Sequence, residues 1–266
     1  MADHLEALGF HVENSDQFES LALTALGHGS EVESPSPHWR TVCWDLDGGP
    51  SLWVHVSERE TIECFTPMLR SQESIRLFVA NYFEDPECLH CSGLVLENRG
   101  GVDDGEALYP LAIQVPNILA VRRAVPAGGS HEVRMTAIGE SVEIYSDRRA
   151  FEAFHGKMGH TPDVFLPIGL VGSEPVERVQ ATAIISGTVL AAETRKNPHT
   201  GLPWHWARIE TAGLVLDAAI PKSAGSLRSE NFVRGTFWLA GLLETTPYRG
   251  TERPSGWSRI LGTGRE

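Results

Sequence analysis

The sequence predicts an α+β, β-rich fold in two parts: an N-terminal strand-helix-strand-strand-strand module with extra sheet, then a small β-barrel. Three observations carry this prediction. A helical apolar stripe over residues 18–26 lies among short alternating segments, and from Gln180 the chain reads as long β segments separated by turn residues. The charge also changes sign where the pattern changes. Residues 1–175 hold 27 acids and 11 bases, a net of −16, whereas residues 176–266 hold 8 and 11, a net of +3. The whole chain of 266 residues carries −13 and is 41% hydrophobic, which suits a buried core and argues against wrapping nucleic acid with the whole surface. Three regions follow: an acidic α+β region at 1–175, a barrel at 176–243, and a flexible polar tail at 244–266, rich in Pro, Gly and Arg.

In chain order, Leu8, Phe10 and Val12 alternate and predict a strand. Asp16 and Glu19 form a D-x-x-E helix start, and Phe18, Leu21, Ala22, Ala25 and Leu26 share one helical stripe before Gly27 and Gly29. A short segment at Glu31–Glu33 precedes two strands about an Asp47-Gly48-Gly49 turn. Arg40, Val42, Trp44 and Leu46 alternate on one, and Leu52, Val54 and Val56 on the other. The stretches GFHVENSDQFESLALTALGHG and WDLDGGPSLWVHV make residues 4–57 resemble a module of the vicinal oxygen chelate (glyoxalase-like) superfamily. The resemblance implies that His11, opposite Leu8, Phe10 and Val12, and His55, opposite Leu52, Val54 and Val56, share a concave face. There they would hold one divalent metal, with Thr41, Cys43 and Trp53 around them.

Downstream, Ile75, Leu77 and Val79 predict a strand ending at Glu84-Asp85-Pro86, and Leu94–Leu96 another before an acidic Gly-rich loop. Val133, Met135 and Ala137, then Val142 and Ile144, read as a hairpin about Gly139. Ser146 or Asp147 caps a short helix holding Phe151, Phe154 and Met158. A long apolar strand over 181–191 is interrupted by Gly187, where a strand bends at a barrel corner. Then come Asn197–Gly201 as a turn, a hairpin of Trp204–Glu210 and Leu214–Ile220 about Ala212-Gly213, a polar loop, and a last strand over Phe232–Leu243. Residues 180–243 thereby resemble an OB-fold barrel, with four strands where that family has five and Pro221 and Gly225 in a connector without a clear helix.

On the second hairpin, Trp204, Trp206 and Arg208 share one face, opposite Ala207 and Ile209, which are natural core residues. Two tryptophans beside a guanidinium either pack at an interface with residues 1–175, form a protein-binding surface, or stack bases or sugars. Cys88-x-x-Cys91 invites a zinc reading but lacks a second tight pair, Cys43 and Cys64 being isolated, and structural thiols are the ordinary alternative. The chain lacks G-x-S-x-G, P-loop, H-E-x-x-H and strand-borne G-x-G-x-x-G motifs, and exposed acids such as Asp103, Asp104 and Glu106 read as solvated surface. The start carries Asp3 and Glu6 where a secretory leader is basic, and no apolar run spans a bilayer, so a soluble cytoplasmic protein without membrane contact is expected.

The first expectation for function is therefore a non-enzymatic binding or protein-interaction module. Its surface would be Trp204, Trp206 and Arg208 or the junction of the halves, with no cofactor required. The partner is a protein or small ligand, and single-stranded nucleic acid is open at the barrel. The alternative is a metal-dependent enzyme of the chelate type using His11 and His55.

Overall fold

The structure, a computed structural model, describes residues 2–32, 38–84, 92–100, 106–155, 161–170 and 179–243. Its first sheet is antiparallel, in the order β1 (Ser30–Val32), β2 (Trp39–Asp45), β3 (Pro50–Ser57), β4 (Ile62–Leu69). The hairpin read about Asp47-Gly48-Gly49 forms as expected, with Thr41 opposite His55 and Cys43 opposite Trp53. Helix α2 (Ser15–His28) covers the face bearing Val42, Val54 and Phe65, where Phe18 meets Phe65 edge-on at 5.1 Å. Leu21, Ala22, Ala25 and Leu26 are buried, and each fully buried leucine contributes about 2 kcal/mol. The cap is Asn14, whose side chain accepts from the Gln17 amide, two residues upstream of the expected Asp16 start.

The strand expected over Leu8–Val12 does not form. Instead α1 (Ala2–Ala7) ends in a Schellman stop: Gly9 has φ of 75°, its N–H bonds the Glu6 carbonyl, and the Phe10 N–H bonds the Leu5 carbonyl. Leu5, in the helix, and Leu8, in the turn that stops it, are thus core residues, and the module at 4–57 opens with a helix where the sequence suggested a strand.

The second sheet contains β5 (Ile75–Phe83), β6 (Gly93–Asn98), β7 (Tyr109–Gln114), β8 (Gly129–Tyr145), β9 (Val164–Leu166), β10 (Thr182–Lys196), β11 (Pro203–Thr211), β12 (Leu214–Pro221) and β13 (Phe232–Leu243). Its spine is the long antiparallel β8–β13 ladder, from Val133↔Leu243 to Tyr145↔Phe232. Toward one end the ladder is flanked by β10 and β12, which β11 joins into a closed ring of five strands. Toward the other it is flanked by β5 and β7, which β6 joins into a second ring. The hairpin expected about Gly139 is therefore one continuous strand, whose register shift between Thr236 and Phe237 leaves a β-bulge at that position. Since β8 pairs with both β12 and β13, the sheet runs across the break expected near residue 176.

Gly187 lies where β10 passes from β13 to β11. A Cβ there would stand 2.1 Å from the Glu210 carbonyl oxygen, so close backbone approach requires glycine. Ala207 and Ile209 enter the ring core with Ile185, Ile220 and Phe237. A second cluster joins α1, α2 and the first sheet to the outer face of the second, through Trp204, Ile138, Ala219 and Trp238. Helix α3 (Ile118–Ala124) packs Ile118 and Val121 into the ring core, and α4 (Arg148–His155) is capped by Asp147, which accepts from the Ala150 amide. Phe151 is buried as expected and Phe154 is exposed. Met158 and the tail at 244–266 lie outside the described residues. Among the described residues no helix is long and apolar enough to cross a membrane.

Candidate functional site

Strand β11 places Trp204, Trp206 and Arg208 on one face, opposite Ala207 and Ile209. Trp204 is 0% exposed, lying beneath Gly9 and beside the 197–202 turn. That turn grips the end of α1: the Asn197 amide donates to the Leu8 carbonyl at 2.9 Å and the Thr200 hydroxyl to the Gly9 carbonyl at 2.6 Å. Trp206 is half-buried between two guanidiniums, Arg195 at 4.6 Å and Arg208 at 5.7 Å from its ring. Arg195 bonds Glu193 at 2.8 Å and the Gly48 carbonyl at 2.9 Å, fastening the β2–β3 turn to the ring. The upper part of this face is thus an internal seam, and Arg208 marks where it opens.

A cleft of about 360 Å³ opens at Arg208. On one edge of β8, pairing with β5 ends at Val133 and pairing with β12 begins at Thr136, so the two partner strands diverge around Met135. Diverging strands leave a crevice, as sheets do at their switch points. Its apolar lining residues are Ile75, Met135, Val215 and Leu216. Its polar centre is Asp217, 4% exposed, which accepts from the Ser71 hydroxyl at 2.7 Å and from Arg208 Nε at 3.1 Å. Arg208 Nη2 reaches Glu73 at 3.3 Å, and the Glu73 side chain is 62% exposed. The hydrogen bond to Asp217 first, and the charges of Asp217 and Glu73 with it, hold the Arg208 pKa above its ordinary value. Sequence reasoning reached only Arg208. Ser71, Glu73 and Asp217 carry no motif and meet through folding alone, although an Asp at mid-strand between Leu216 and Ala218 is a readable anomaly.

His55 and His11 have different surroundings. His55 is 0% exposed at the centre of the first sheet, with Nδ1 3.0 Å from the Thr41 hydroxyl and Cys64 opposite it on β4. Thr41, Cys43 and Trp53 share its face, as expected. Burial first, then Asp45, pushes the Cys43 thiol well above its ordinary pKa, which disfavours the thiolate. His11 lies on the loop after α1, 63% exposed and 3.1 Å from Glu13, in a separate cleft of about 420 Å³ with Asp16, Ser20 and His199. That cleft does not include His55. Among the described residues no group of three or more His, Cys, Asp or Glu is arranged to hold a metal ion. Cys88, Cys91, Asp103 and Asp104 lie outside the described residues. Comparison with protein-family models, with curated proteins and with solved structures finds no match for this chain.

Proposed function

We propose that the chain is a non-enzymatic binding protein whose ligand is a small aliphatic carboxylate, held in the junction cleft by Arg208. The scaffold under this reading is an OB-like barrel in which β8, from upstream of the other four strands, takes the place of the fifth. The observation that carries the reading is the state of Arg208. Its Nε is fixed on buried Asp217, while Nη2 meets Glu73, an exposed carboxylate that a ligand carboxylate can displace. The apolar side chains among its lining residues, Ile75, Met135, Val215 and Leu216, suit a short chain, and the volume lies at the small end of ligand pockets. A single-stranded nucleic acid is less well served, because Trp204 is covered and Arg195 is engaged by Glu193 and Gly48.

The test is a titration of tryptophan fluorescence, Trp206 lying beside Arg208. Hexanoate should give a saturable change that hexylamine does not. Glu73→Gln removes the internal competitor and should tighten binding several-fold, and Arg208→Gln should abolish it. Equal responses to hexanoate and hexylamine, or no tightening in Glu73→Gln, would remove the proposal.

A further inference from the structure

His205 is the neighbour of Trp204 on β11, turned to the other face and 1% exposed. Its cross-strand partners, Thr194 on β10 and Ile220 on β12, carry no charge. Nδ1 is 3.1 Å from the Thr194 hydroxyl. Nε2 is 2.8 Å from the Gly225 carbonyl oxygen and 3.2 Å from Lys222 Nζ. These last two contacts make opposite demands: a carbonyl needs an N–H on Nε2, and an ammonium needs a lone pair there. A neutral ring protonated at Nε2 serves Gly225 and accepts the Thr194 hydroxyl at Nδ1, leaving the Lys222 charge beside it.

The turn that this ring holds runs from Lys222 to Gly225, and Gly225 has φ of 123°, a conformation glycine adopts readily. Within it the Ser223 hydroxyl donates to Glu6 on α1 at 2.7 Å. Two residues past the end of helix α1 lies Gly9, the residue that covers Trp204. A chain of contacts therefore links the His205 ring to the docking of the N-terminal helix.

We propose that His205 is a proton-operated latch: the neutral ring holds the 222–225 turn, and through Ser223 the N-terminal helix, against β11, and uptake of a solvent proton releases them. The proton enters at Nδ1, where the Thr194 contact reverses so that the hydroxyl oxygen accepts, and the new buried cation faces the Lys222 ammonium at 3.2 Å. Burial first, with Lys222 adding to it and the Gly225 carbonyl opposing, holds the His205 pKa below its ordinary value. In the released state the ring meets water and charges normally. Release is therefore favoured as pH falls through the ordinary imidazole range of about 6.5.

The surrounding charges do not cancel this sign. Glu193 and Arg195, either side of Thr194, bond each other, and Glu6 is engaged by Ser223. On α1 itself, His4 bonds Glu140 at 2.7 Å, a contact that protonation strengthens, so His4 acts in the opposite direction.

The test is amide hydrogen exchange of the peptide spanning residues 2–10 in the full chain, between pH 7.5 and 5.5, corrected for intrinsic rates. Opening should rise with acid, by up to about tenfold per pH unit, the limit for a one-proton step. His205→Gln donates to Gly225 without titrating and should remove the rise in opening with acid. Lys222→Gln relieves the repulsion and should make it shallower. Should His205→Gln fail to fold, the Lys222→Gln slope and the titration of the His205 Cε1–H resonance in the wild type decide the matter. A flat wild-type response, an unaltered slope in either variant, or a His205 resonance that does not follow the opening would overturn the proposal.

Discussion

Replacing Gly187 with alanine probes the closure of the five-stranded ring at its tightest point. The new methyl group would lie 2.1 Å from the Glu210 carbonyl oxygen and 3.1 Å from an Ile209 methyl, so β10 and β11 must part where the ladder passes through Thr188↔Glu210 and Val189↔Ile209. Overpacking costs about 1–3 kcal/mol, and each backbone hydrogen bond lost adds about 1 kcal/mol. With two such bonds broken the expected loss is about 3–5 kcal/mol. Urea unfolding followed by tryptophan fluorescence measures it. With a slope of roughly 3 kcal/mol/M, the midpoint should fall by about 1–1.7 M with the slope unchanged. Gly129→Ala is the control, since a Cβ there meets nothing closer than 3.4 Å, and it should stay within about 0.5 kcal/mol of wild type. A Gly187→Ala midpoint indistinguishable from that of the control would refute the close approach of β10 and β11.

Three other outcomes follow from the same contacts. Trp204→Ala should cost about 3–5 kcal/mol in chemical unfolding and the half-buried Trp206→Ala no more than about half of that, so equal costs would contradict the covered seam. Asp217→Asn leaves Arg208 without its buried partner; because Arg208 is itself 29% exposed the expected cost is about 2 kcal/mol, or a melting temperature lower by about 4–8 °C, and an unchanged melt would speak against the cluster. Tyr145, bonded to Glu143 and His155, has its pKa pushed up to about 12 by burial first and Glu143 second. A raised folded value means its contribution is intact below the ordinary pKa of about 10 and fades as pH climbs toward 12. An ultraviolet titration should lose its component near 12 in Tyr145→Phe, and persistence of that component would show the assignment to be mistaken.

Local chemistry made much of the fold readable. The β2–β3 and β11–β12 hairpins, the stripe on α2 and the bend at Gly187 each depend on residues close in sequence, where alternation, turn glycines and helical spacing speak directly. The Leu8–Val12 stretch misled because its apolar alternation is short, whereas Leu5, Leu8 and the Gly9-Phe10 pair spell a helix stop that the same residues also permit. Gly139 resembled a turn because a bulge and a turn both favour a residue without a side chain, and only pairing with β13 distinguishes them. The strand that completes the ring, β8, was out of reach because its partners lie about 80 to 110 residues downstream and no periodicity encodes such a pairing. For the same reason Arg208 was identified while Ser71, Glu73 and Asp217 were not. Ser71 and Glu73 are ordinary residues in their own segment, Asp217 stands out only as an acid at mid-strand, and the three meet only where β5 and β12 part.

The most direct test of the account is an amide chemical-shift map of isotopically labelled protein titrated with hexanoate. A carboxylate held by Arg208 should perturb residues 71–76 and 215–217 and the Arg208 side-chain resonance, leave the His11 and His199 cleft unmoved, and lose these effects in Arg208→Gln. Perturbations centred on Asp16, Ser20 and His199, or none at saturating hexanoate, would contradict it.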